Sequence, residues 1–153
     1  MSDQLTFQRF ALITAAVYDA PVGSVEPTIS RSKAEAALTA PFPGPGEIVL
    51  YPDPVERAAI CFAAIIRLRP LPHDNKRVAH ECLGEMLVNH QWLLPSEDDP
   101  EAAEKMDEWG ARQMSEYKFL AWVRAYVGRC AWQRYERRGR GYGLGGTWGS
   151  PRP

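Results

Sequence analysis

The chain has no apolar run long enough to cross a bilayer, and apolar–polar alternation of the kind that marks a half-buried strand is almost missing. A membrane span and a sheet-built core are therefore not expected. Cysteine is scarce as well. Cys61, Cys82 and Cys130 are odd in number, far apart and without C-x-x-C spacing, which argues against a disulfide framework or a zinc site. Cys61 and Cys82 fall in apolar helical patterns and read as small buried hydrophobes. Charge of one sign is also lacking: the net charge is −1 over 153 residues, so no general attraction to nucleic acid or to a membrane surface is expected. The opening Met1-Ser2-Asp3-Gln4 has no basic stretch leading into an apolar core, so no secretory signal is read and a reducing cytoplasm is the expected location.

What the chain does have is helical periodicity, enough for one all-α domain with an ordinary hydrophobic core. A first helix is predicted over Leu5 to Tyr18, with Thr14 as the only polar residue in its apolar stripe. A loop follows from Ala20 to Ser30, then a short helix over Arg31 to Leu38 that ends at Pro41-Phe42-Pro43-Gly44-Pro45-Gly46. Glu47 to Tyr51 is the clearest extended run, and it reads as a flap rather than as part of a sheet. Asp53 as cap, Pro54 at the first helical position and Glu56 in the first turn open a helix to about Arg67 that is apolar nearly all round, as a central bundle helix must be.

A helix over Lys76 to Gln91, one opened by the acidic stretch Ser96 to Glu101 and running to about Gln113, and a last one from Ser115 to near Gly128 complete the pattern. His80 and His90 read as surface or helix-end residues. Residues 129–153 are basic, aromatic and then Gly-rich, and read as a continued or frayed helix end followed by a flexible tail. Arg neutralises phosphate and aromatics stack on bases, but the segment carries no recognisable nucleic-acid module.

The stretch Arg69-Pro70-Leu71-Pro72-His73-Asp74-Asn75-Lys76-Arg77 is unusual because it places two cations at the start of a helix. Cations are disfavoured there, whereas anions are attracted by the first amides and the helix dipole. With Asn75 as N-cap and two prolines stiffening the approach, the segment has the makings of a phosphate cradle. The alternative is a capped surface helix with solvated cations.

This segment resembles a degenerate copy of the Fic/Doc signature, H-x-F-x-[D/E]-[G/A]-N-[K/G]-R, and its Asn-Lys-Arg ending is like that of the death-on-curing (Doc) toxins. Tyr51 to Ala59 resembles the segment that opens the preceding helix in Doc-like proteins, and Ser30 to Pro41, with Glu35-Ala36-Ala37-Leu38, resembles their upstream helix. The similarity spans about Leu5 to Val127, which sets a domain over residues 1–128. It implies a Fido-type helical bundle that binds ATP and Mg²⁺. Asn75 would orient the loop or a phosphate, and Lys76 and Arg77 would engage phosphate oxygens. Ile48, Val49, Leu50 and Tyr51 would hold a target segment by strand-like pairing.

By the same resemblance, the partners would be a protein target such as a translation factor and an antitoxin-like protein. The family transfers either AMP or the γ-phosphate of ATP to a protein hydroxyl, a reaction that needs a base and a cation. Here the family's catalytic His is Arg69, which cannot accept a proton near neutral pH, and its metal-binding acid is His73, a poor Mg²⁺ ligand. Three readings follow. The chain binds nucleotide without catalysis; or it keeps kinase or nucleotidyl transfer with His73 as substitute base and Asp74 holding the metal; or it is an interaction module without nucleotide, with Trp92, Trp109 and Trp122 as candidate anchors.

Overall fold

The computed structural model describes residues 4–88 and 99–141, with side chains as far as residue 128. Among these residues the chain is all-α, with no strand. Helix α1 (Phe7–Tyr18) starts at Thr6, whose hydroxyl accepts the Arg9 N–H at 3.1 Å, and ends at Asp19 in left-handed backbone. Helix α2 (Val22–Val25), a 3-10 turn (Glu26–Thr28) and α3 (Arg31–Thr39) follow. Helix α4 (Pro54–Leu68) is capped by Asp53, whose carboxylate accepts the Val55 N–H at 2.9 Å, with Pro54 where its missing N–H costs nothing. Then come α5 (Asn75–Val88), α6 (Pro100–Gly110), capped by Asp99, and α7 (Glu116–Gly141).

Helix α4 is the centre of the molecule. Nine of its residues are buried, and it packs against α3, α5, α6 and α7. Phe62 meets Phe119 of α7 with ring centroids 5.7 Å apart, and Trp109 of α6 stacks on Phe119 at 4.9 Å. The Trp109 indole N–H donates to the Ala63 carbonyl at 2.9 Å, which satisfies the one polar atom of a ring that is otherwise core. Cys61 and Cys82 are free and buried, as expected, and burial pushes the Cys61 thiol up to about 12.

Several expectations need correction. The region from Ala20 to Ser30 is not a plain loop: it forms α2 and the 3-10 turn, because Val25 and Ile29 are buried against the core and shape the chain around them. The last helix does not stop near Gly128 but continues to Gly141. Gly128 lies in open space within it, and one glycine costs a helix only about 1 kcal/mol. The segment set apart as a tail thus begins as helix. His80 is buried, 5 % exposed, because position 80 of α5 faces the bundle beside Ala79 and Leu83. His90, Trp92 and the stretch from Ser96 to Asp98 lie outside the described residues. Trp109 is core, and Trp122 packs against it. Among the described residues no helix is long and apolar enough to cross a membrane.

Candidate functional site

The loop between α4 and α5 is built from ties at both ends. Arg69 ends α4 in left-handed backbone, φ 52°, with its N–H on the Ile65 carbonyl at 3.1 Å. The buried Pro70 offers its carbonyl to the Ser30 N–H at 2.8 Å, which fastens the loop to the start of α3. Leu71 then turns into the core, 5 % exposed. Asn75 closes the turn around it: its side-chain carbonyl accepts the Leu71 N–H and its amide donates to the Leu71 carbonyl, both at 2.9 Å. These bonds are buried, so each is expensive to leave unmade.

Asn75 is therefore not the helix cap that its residue type suggested. The Val78 N–H donates to the Asp74 carbonyl at 3.0 Å, so Asp74 takes the cap position, in left-handed backbone at φ 58°. Left-handed backbone costs a non-glycine residue roughly 1 kcal/mol, and Asp bears it better than most. The Asn75 amide is committed to the loop instead, and that commitment fixes where Lys76 and Arg77 begin the helix.

The exposed tip of the loop is held from α1. The Tyr18 hydroxyl donates to the His73 carbonyl at 2.6 Å, and the two rings stack 4.2 Å apart at 15°. Burial pushes the Tyr18 phenol above its ordinary range, and the nearby Asp74 carboxylate pushes it the same way. His73 Nδ1 lies 2.9 Å from Asp74 Oδ2. A carboxylate on one ring nitrogen leaves the other, Nε2, to meet a ligand or a proton.

Beside this loop a cavity of about 520 Å³ opens between the start of α5 and the face of α6. Arg69, His73, Asp74, Asn75, Lys76 and Arg77 form its polar side, and Ile66, Ala103, Met106, Gly110 and Ala111 its mostly apolar side. Asp107 of α6 also lines it and is ion-paired with Lys76. The far end of α6 is fixed by Arg67, which lies 3.3 Å over the Trp109 ring and donates to the carbonyls of Trp109 and Met114 at 3.2 and 3.3 Å. The volume falls within the range of small-molecule sites, and a polar end facing an apolar end suits a ligand with an anionic group on a flatter body.

Six of the residues singled out from the sequence, Arg69, His73, Asp74, Asn75, Lys76 and Arg77, thus meet at one cavity. The other four do not join them. Ile48, Val49 and Leu50 are exposed at 82, 55 and 73 %, in a segment without regular secondary structure that lines none of this cavity. The segment is anchored at its end, where Arg57 donates to the carbonyls of Tyr51 and Pro52 at 2.9 and 2.7 Å.

Sequence reasoning missed the α6 wall and Tyr18. The wall had a signal: Ala103, Met106, Asp107 and Gly110 recur at helical spacing on one face, where small residues interrupt the apolar stripe. Tyr18 had none, since it reaches the loop across 55 residues of sequence.

As a Mg²⁺ site the donor set is sparse. Among the described residues no group of three His, Cys, Asp or Glu side chains gathers around a point. Asp74 brings a partly exposed carboxylate with one oxygen on His73. Mg²⁺ is commonly held by one or two carboxylates together with ligand phosphates and water, so Asp74 fits as a single protein ligand. No family model, no curated protein and no solved structure matches the chain.

Proposed function

We propose that the cavity at the start of α5 is a phosphate site of the Doc-like Fido kind, binding the phosphates of a nucleotide such as ATP without the proton transfer that catalysis needs. The observation that carries this reading is the convergence of Arg69, Lys76 and Arg77 on one cavity at a helix start, where anions are favoured. Loop geometry supports the resemblance too. Asp74 stands where the family pattern has Gly or Ala, and its backbone is left-handed, the conformation glycine adopts most easily. Leu71, at the family's Phe position, is seated in the core. In this reading Arg69 strengthens phosphate binding and takes no proton, because a guanidinium stays charged. Mg²⁺, held by Asp74 and phosphate oxygens, would offset phosphate charge. The exposed Ile48 to Leu50 segment is free for strand-like pairing with a protein, either a target or an antitoxin-like partner. Free buried thiols are compatible with a cytoplasmic setting.

Thermal melting of the full chain with ATP and Mg²⁺ tests the reading. Stabilisation of about 2.7 kcal/mol is expected at a hundredfold excess over Kd. No shift at high ligand concentration favours the interaction module instead. Arg69→His, which restores the family's base, is expected to create transfer from labelled ATP to protein.

The hydrogen bond between His73 and Asp74 favours a second reading, in which transfer persists with His73 as base. Incubation of the wild-type chain with α- or γ-labelled ATP and lysate decides between the two. Label moving from the γ position marks a kinase, label from the α position a nucleotidyl transferase, and strong wild-type transfer of either kind removes the binding-only reading.

A further inference from the structure

Lys76 stands in the first turn of α5, where the helix already presents partial positive charge and a cation is disfavoured unless an anion accompanies it. The anion present belongs to the protein itself. Asp107, from α6, forms an ion pair with the Lys76 ammonium, and both side chains line the cavity. They are 50 and 61 % exposed, so water screens the pair and little stability depends on it. The α6 helix is held without it, through its Asp99 cap and through the bonds from Arg67 to the carbonyls of Trp109 and Met114. The pair is therefore dispensable to the fold, yet it occupies the one ammonium that lines this cavity among the described residues.

A carboxylate and a phosphate are both oxyanions, and either satisfies an ammonium through charge-assisted hydrogen bonds. We propose that Asp107 is the resident anion of this cavity, a carboxylate that an incoming phosphate must displace from Lys76. This rests on the phosphate-site reading and adds to it the residue that sets the threshold for occupancy. Among the described residues, the other charged groups lining the cavity leave this role to Asp107: Arg69 and Arg77 are cations, and Asp74 faces His73. A phosphate that takes Lys76 exchanges one anion for another and gains only the difference. Occupancy therefore depends on a ligand with enough anionic oxygens to hold Arg69 as well.

The test uses the full chain, inorganic pyrophosphate as the probe and calorimetric titration, on the wild type, Asp107→Asn, Lys76→Gln and the double variant. Asp107→Asn is expected to bind pyrophosphate up to about fivefold more tightly, the scale set by an exposed ion pair. In the Lys76→Gln background the same change is expected to alter affinity by less than about twofold, because the competition has lost its object. Asp107→Ala serves as a second variant with the same expectations if the amide disturbs α6. Equal affinity of the wild type and Asp107→Asn, or a fivefold gain that survives Lys76→Gln, overturns the competitor role and leaves the phosphate site standing. Absence of pyrophosphate binding by all the chains overturns the phosphate site and this inference with it.

Discussion

Helix α4 and the loop that follows it are continuous in sequence and opposite in construction. In α4 nine side chains from Val55 to Ile66 are buried, and the backbone hydrogen bonds are the helix's own. Burial of that much apolar surface holds the helix whatever any one neighbour does. From Arg69 to Asp74 most of the chain is exposed, the backbone turns left-handed twice, and the ties come from elsewhere: Ser30 on Pro70, Asn75 on Leu71 and Tyr18 on His73. The difference teaches where each region is fragile. The helix fails by losing volume, whereas the loop fails by losing a single polar partner.

Removing volume from the helix is the strongest way to test that contrast. Phe62→Ala is expected to cost about 3–5 kcal/mol in denaturant unfolding, since Phe62 is 2 % exposed against Phe119 and the cavity left behind cannot fill. A cost near that of a surface change would break the comparison. Removing a polar partner comes next. Asn75→Ala is expected to cost about 2 kcal/mol, because it leaves the Leu71 N–H and carbonyl buried without their partner. Hydrogen exchange should locate the loosening in the loop and at the start of α5, ahead of any change in α4.

The smallest effect, near pH 10, is a pH slope that belongs to the buried core and not to the loop. The Cys61 thiol is pushed by burial from 9.0 to about 12, so above pH 9 the unfolded chain gives up a proton that the folded chain keeps. The stabilisation is whole below pH 9 and is lost as pH rises towards 12, with about 1–2 kcal/mol gone by pH 10. Cys82, also raised by burial, adds in the same direction. A Cys61→Ala chain should show a shallower decline between pH 9 and 11 in equilibrium unfolding, and an unchanged slope would mean that the thiol is not buried in solution.

Much of the fold was legible because most of the longer helices state themselves locally. Asp53-Pro54 and Asp99-Pro100 are start signals that work through a side chain and a fixed φ within a few residues, and both helices begin there. The all-round apolar pattern of α4 marked the central helix for the same reason. What was not legible depended on partners. His80 was read as a surface residue and is buried, and Asn75 was read as a cap but is a clamp, because each polar side chain answers to what lies beside it in space. The front of the candidate site could be read as nine consecutive residues; its α6 wall could be read only as a faint periodicity.

By itself, then, the sequence determined that the chain is helical, which helix is central and which loop carries an unexplained pair of cations. Propensity, capping and apolar spacing act over one or two turns and need no knowledge of neighbours. Only the tertiary structure decided that Tyr18 holds His73, that Asn75 holds Leu71, and that the anion beside Lys76 is Asp107 from another helix. Those are choices among polar groups with several possible partners, and the packing of α1 and α6 around the loop determines which one is within reach.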